Sequence, residues 1–325
     1  MREADWADPE QFGGMISFGT PFDGWHLAGS VGAGRFEQFD ESTQDILNRG
    51  DELAANYDGN LLGLFFTFQW KTIGNGYLTA IRNIFRPDDL IDDDLAGIDK
   101  ALANFVSPSS LLIQGARNYT NNDPKIVVYG DEDSRVHVRL LGSIASSGSN
   151  DTEIDGDYNS LITLYRQEAN AWKPGSWTWF RRKDKQAISD AFRAGQTYLE
   201  SGMEPAWLGL IEGIEIQTVT SSYLISVCTI DDGITRDFPD EPLRGTDCWE
   251  RRTITRQVPV KLPTDGIVNQ HTATGRDSQW TKSNTKTVRA DGVNHYEMGE
   301  NDFTTRLLDD ALNTGNNGYD IFFRN

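Results

Sequence analysis

The chain has 325 residues, enough for one large domain or two ordinary ones, and its 38% apolar and 11% aromatic content supplies a packed core. A net charge of −19 argues against a nucleic-acid partner, because phosphates are bound by Lys and Arg that displace counterions, and it disfavours charge-driven binding to anionic membranes. No apolar run approaches the roughly 18–20 residues of a bilayer-spanning helix, so no integral membrane segment is expected, and Met1-Arg2-Glu3-Ala4-Asp5-Trp6 has no signal-peptide character.

The first apolar run, Met15-Ile16-Ser17-Phe18, reads as a buried strand ending at Gly19. Thr20-Pro21-Phe22-Asp23-Gly24 then reads as a turn, since Pro fixes φ and Gly permits values closed to other residues. A buried strand running straight into such a turn suits a parallel sheet, whose strand ends carry functional loops. Ala28-Gly29-Ser30-Val31-Gly32 reads as a Gly/Ser loop. From 36 to about 110 the apolar spacing is mostly helical, with Phe39, Ile46, Leu47 and Leu53 on one side. Residues 61–70 are the most apolar stretch and fit a core segment, the wall of a greasy pocket or a lid; the acids of 88–94 miss the EF-hand spacing and read as a solvated loop.

Lys125-Ile126-Val127-Val128-Tyr129-Gly130 is the second strand, ending in Asp131-Glu132-Asp133. His137 lies in the alternating run Arg135-Val136-His137-Val138-Arg139, the pattern of a strand face. Residues 144–157 read as a loop, and 158–172 and 183–199 as helices. Between those helices Trp172, Trp177 and Trp179 precede Arg181, Arg182 and Lys183, a combination that either binds a ligand or anchors a cap on the core. Residues 221–230 and 253–262 are strand-like, rich in β-branched side chains. Cys228 and Cys248 fit neither a metal nor a redox spacing and are placed for one disulfide across a loop; Asn118 and Asn150 begin glycosylation sequons. Residues 287–293 form a third candidate for the sheet, weakened by Gly292, and Asn301 or Asp302 caps a last helix with Phe303, Leu307, Leu308 and Ala311 on one face.

Three separated pieces resemble one family. Ile16-Ser17-Phe18-Gly19-Thr20-Pro21-Phe22-Asp23-Gly24 looks like the strand and "GTPxxG" turn that follow the nucleophile in lipase-type α/β-hydrolases. Thr264-Asp265-Gly266-Ile267-Val268 resembles the "DGxV" segment of the catalytic acid, and Val293-Asn294-His295-Tyr296-Glu297 the "NH" segment of the catalytic His. They stand in the family's chain order, acid before base. The resemblance implies an α/β fold: a partial α/β-hydrolase parallel sheet with a large, mainly helical cap. The hydrolase core would comprise 1–35, 111–143 and 253–325, with a helical lid over 36–110 and a family-specific insertion over 144–252.

The implied activity is carboxylic-ester hydrolysis by a Ser-Asp-His triad, on a small-molecule or lipid ester, without an organic cofactor. His295 would be the base and Asp265 its carboxylate partner, with Asp131 and Asp133 as alternative acids and Thr20, Pro21 and His26 at the pocket. Glu297, two residues after the His, stands where some bacterial lipases carry an acidic ligand for structural Ca²⁺. The family's G-x-S-x-G elbow occurs nowhere in the chain. The nearest variant holds Ser30, after the turn instead of before it, so the resemblance implies that the elbow belongs upstream of Met1 in a longer hydrolase. The competing reading is a truncated, non-catalytic hydrolase or a ligand-binding pseudo-hydrolase.

Overall fold

The computed structural model describes residues 14–58, 106–120, 122–132, 135–145, 151–175, 181–229, 235–238, 249–295, 297–299 and 301–314. The apolar segment 61–70, the acids of 88–94, Asp133, Asn150, Trp177, Trp179, Cys248 and Tyr296 lie outside these residues. In chain order the regular elements are β1 (Met15–Phe18), α1 (His26–Gly32), α2 (Arg35–Asp58), α3 (Leu111–Arg117), β2 (Lys125–Asp131), α4 (Val136–Ala145), α5 (Asp151–Ala171), α6 (Arg182–Thr197), α7 (Met203–Leu210), β3 (Ile214–Thr229), β4 (Thr235–Phe238), β5 (Trp249–Lys261), α8 (Gln270–Thr274), β6 (Thr285–Asp291) and α9 (Asp302–Asp309). The chain is mixed α/β and divides into two units, one of residues 1–213 with 262–325 and one of Ile214–Lys261.

In the first unit β1, β2 and β6 form one parallel sheet in the order β1-β2-β6. The three segments expected to share a sheet therefore do so. Ile126, Val127 and Val128 are fully buried at its centre, because a middle strand of a parallel sheet is covered on both faces and takes a continuous apolar run. Ile126 and Val128 share a face with Ala290, and Val293, Met298, Leu307 and Ala311 complete that core. Helix α9 supplies Leu307 to it, and Asn301 caps α9 by accepting the Phe303 N–H at 2.7 Å.

The helices behave largely as their spacing predicts. Helix α5 meets α2 through the Tyr165 hydroxyl, which donates to the Leu47 carbonyl at 2.8 Å, and α6 through Ser189, which donates to the Ala169 carbonyl at 2.6 Å. A π-helical turn, Tyr198–Gly202, joins α6 to α7. Two local expectations fail. Residues 135–139 are not a strand: α4 begins at Val136 because the Glu204 carboxylate accepts the Val136 N–H, at 3.2 Å, at the helix start. Likewise Asp151 already opens α5, so the expected loop over 144–157 is shorter than its polar composition implied.

The second unit is a long antiparallel ribbon. β3 pairs with β5 from Ile214↔Lys261 to Ser226↔Trp249, and β4 pairs with the end of β3. Its β-branched residues suit the extended backbone, yet Ile216, Leu224 and Ile254 are 57%, 57% and 49% exposed. Residues 253–261 thus pair with β3 and not with the parallel sheet.

Candidate active site

Residues 264–269 form a tight loop closed by a bridge between Thr264 and Asn269. Asp265 Oδ1 accepts the N–H groups of Ile267 (2.9 Å) and Val268 (2.6 Å), which is why an Asp stands at this turn. Three neighbours hold the loop. The Glu132 N–H at the end of β2 donates to the Thr264 carbonyl at 2.9 Å. The indole of Trp207, on α7, donates to the Gly266 carbonyl at 2.9 Å. The Asn269 amide donates to the carbonyls of Ile211 and Glu212 at 2.8 and 3.1 Å.

His295 arrives from the other side. β6 ends at Asp291, the backbone turns through Gly292 at φ +67°, and the His295 N–H donates to the Asp265 carbonyl at 2.9 Å. The ring follows the backbone: Nδ1 lies 2.7 Å from Asp265 Oδ2. With the carboxylate as acceptor, Nδ1 carries the proton and Nε2 is the nitrogen able to act as a base. The two partners differ in exposure: the Asp265 side chain keeps 1% of its surface and that of His295 keeps 34%, so the carboxylate is sealed and the imidazole is reachable. Burial lowers the pKa of His295, but the hydrogen bond and charge of Asp265 outweigh it and leave the group above the ordinary 6.5.

Two glycines make room for this pair. A Cβ on Gly19, at φ +53°, would come 2.7 Å from Asp265 Oδ2 and 2.9 Å from His295 Nδ1. One on Gly130 would meet the Val293 carbonyl and come 2.8 Å from Asp265 Cβ. Gly19 follows β1, Gly130 is near the end of β2 and His295 follows β6, so the pair lies at the carboxyl ends of all three parallel strands. Those ends are where open α/β sheets bind ligands. Residue pattern points to Asp265 and His295 but not to Gly19, Gly130 or Trp207 as their supports; a Gly at the strand ends is the signal available for the first two.

Other candidates fall away from the pair. Ser30 is fully buried inside α1, not in a loop, and its hydroxyl donates to the Leu210 carbonyl at 2.6 Å, which removes it as nucleophile. Asp131 is salt-bridged to Arg289, and because strand residues alternate, it faces away from the side on which Gly130 meets Asp265. Thr20 and Pro21 form the turn beside Gly19, where the Gly24 N–H donates to the Pro21 carbonyl at 3.0 Å. His26 opens α1 and pairs with Glu212 at 3.1 Å; burial, with Arg117 and Arg35 nearby, holds it below its ordinary pKa despite that carboxylate.

Glu297, the candidate calcium ligand, is engaged by protein groups: one of its oxygens is 3.4 Å from Arg139 Nη2 and the other accepts the Asn294 N–H at 3.2 Å, while Arg139 also pairs with Glu132 at 3.1 Å. Among the described residues no group of three or more His, Cys, Asp or Glu is arranged to hold a metal, and no helix is long and apolar enough to cross a membrane. No family model, curated protein or solved structure matches the chain.

Proposed function

We propose that Asp265 and His295 are the acid and base of a lipase- or esterase-like site that hydrolyses carboxylic esters on an α/β-hydrolase sheet. The observation that carries this reading is the 2.7 Å hydrogen bond between a sealed carboxylate and a reachable imidazole, at the carboxyl ends of parallel strands.

In the proposed reaction His295 Nε2 takes the proton of an attacking hydroxyl as it adds to the ester carbonyl. The imidazolium so formed is held by Asp265, and its proton then passes to the leaving alcohol. Asp265 keeps the ring in the correct tautomer and orientation and is not itself protonated. A His whose pKa is raised by its partner accepts the proton more readily. Ser30 does not supply that hydroxyl, since it is buried and donates to the Leu210 carbonyl. The same observation about Ser30 favours a second reading, a pseudo-hydrolase that retains the pair and binds an ester without cleaving it.

A fluorophosphonate probe with short-chain p-nitrophenyl esters separates the two. Catalysis requires covalent labelling of a Ser and ester turnover, both lost in His295→Gln. Labelling and turnover that persist unchanged in that variant would overturn the assignment, and saturable ester binding without turnover would leave the pseudo-hydrolase.

A further inference from the structure

A second feature stands on α6, independent of the Asp265–His295 pair. Arg181, Arg182, Lys183 and Lys185 enter this helix with a single acid, Asp184, among them, in a chain with 49 acidic and 30 basic residues. Among the described residues none of these four cations forms a salt bridge. Elsewhere Arg117, Arg139, Arg166 and Arg289 are matched with a carboxylate, while Arg35 and Arg193 stand singly at the surface without one among the described residues. Neighbouring like charges repel one another, and an anion shared among them would relieve that repulsion.

The cations are also organised. Arg181 Nη1 donates to the Tyr57 carbonyl at 2.9 Å and its guanidinium stacks 5.0 Å from the Tyr57 ring, with Lys185 Nζ 5.8 Å from the same ring. Tyr57 is in turn braced edge-on by Trp172, with centroids 5.5 Å apart. Arg181 is thereby held at the mouth of α6 in a left-handed conformation, φ +55°. An open cavity of about 560 Å³ lies there, and among the described residues Arg181, Arg182, Lys183 and Gln186 line it. That volume suits a small ligand, and the lining offers two planar forks, an ammonium and an amide.

We propose that this cavity is a phosphate-binding site. A lone carboxylate would neutralise one of the cations, whereas a phosphoryl group spreads its charge over several oxygens and accepts the parallel N–H pairs of an Arg fork as well as a Lys ammonium. The group is carried by a phospholipid headgroup or by a soluble phosphate compound, and both present the same oxygens.

The test uses the whole chain and an Arg182→Gln/Lys183→Gln/Lys185→Gln variant. Arg182 and Lys183 are exposed and Lys185 is half-buried, and Arg181, which donates to the Tyr57 carbonyl, is kept. Circular dichroism checks that the helices persist. Titration with inorganic phosphate, followed by calorimetry, and co-sedimentation with phosphatidic acid vesicles against phosphatidylcholine vesicles give the two arms. Saturable binding in either arm, weakened at least tenfold in the variant and by added salt, supports the site; the phosphate arm assigns a soluble source and the vesicle arm a headgroup. Binding in neither arm, or binding that the variant retains, overturns it. So does tight binding of a single-stranded oligonucleotide without binding of phosphate or vesicles.

Discussion

Two histidine–carboxylate pairs in this chain have almost the same bond and opposite settings. His295 and Asp265 are 2.7 Å apart, with the acid sealed and the imidazole 34% exposed. His137 and Glu204 are 2.6 Å apart, with the imidazole 2% exposed and the acid 23% exposed. In the second pair the far nitrogen is also engaged, since His137 Nε2 lies 3.3 Å from the Tyr158 hydroxyl, which itself donates to the Leu199 carbonyl at 2.8 Å. An imidazole locked on both sides ties α4, α5 and α7 together and has no nitrogen to offer a substrate. Bond length alone therefore separates nothing; which partner faces the surface decides whether a pair can do chemistry.

The largest effect that would break the comparison is on turnover. Under the proposed function, Asp265→Asn should lower ester hydrolysis about 10⁴-fold and His295→Gln about 10⁶-fold, the losses expected on removing a triad's acid and its base. His137→Gln and Glu204→Gln should leave the rate near that of the parent chain. Initial rates on a p-nitrophenyl ester check this, and equal losses at both pairs would erase the distinction. Next comes Trp207→Ala, which removes a fully buried indole and its bond to Gly266. It should cost about 3–5 kcal/mol in urea unfolding. Glu204→Gln should cost about 1–3 kcal/mol, because it weakens the partner of a buried imidazole; a loss below about 0.5 kcal/mol would make that pair a surface ornament.

The smallest effect is on pH dependence, and it belongs to one pair. The pKa of folded His295 is raised, so the stability it contributes is fully present below its ordinary 6.5 and is lost as pH rises through its own higher value. Turnover should rise over that same window, because a general base must be neutral. NMR titration of the ring, repeated in Asp265→Asn, checks both signs: the variant should titrate lower. An unchanged midpoint would mean that the carboxylate does not set it.

Much of the sheet was legible from residue pattern. Met15–Phe18 and Lys125–Asp131 are short apolar runs ended by Gly or acids, the pattern of sheet strands, though only the central one is buried on both faces. Helix α9 announced itself through the cap at Asn301 and a one-sided apolar face. Alternation over 135–139 misled, because the contact that starts α4 comes from Glu204, far away in the chain. Ser30 misled for a similar reason: its partner is Leu210, and nothing within five residues of it signals that it is buried.

By itself, then, the amino-acid order determined the apolar strands and the helix faces and pointed to Asp265 and His295 as candidates, because those depend on period and on residue type over a few neighbours. Tertiary structure alone decided that Asp265 pairs with His295 and Asp131 with Arg289, that Gly19 and Gly130 leave the space for the first pair, and that 214–261 fold into a separate ribbon. A hydrogen bond of 2.7 Å depends on where three distant strand ends converge, and no local pattern encodes that distance.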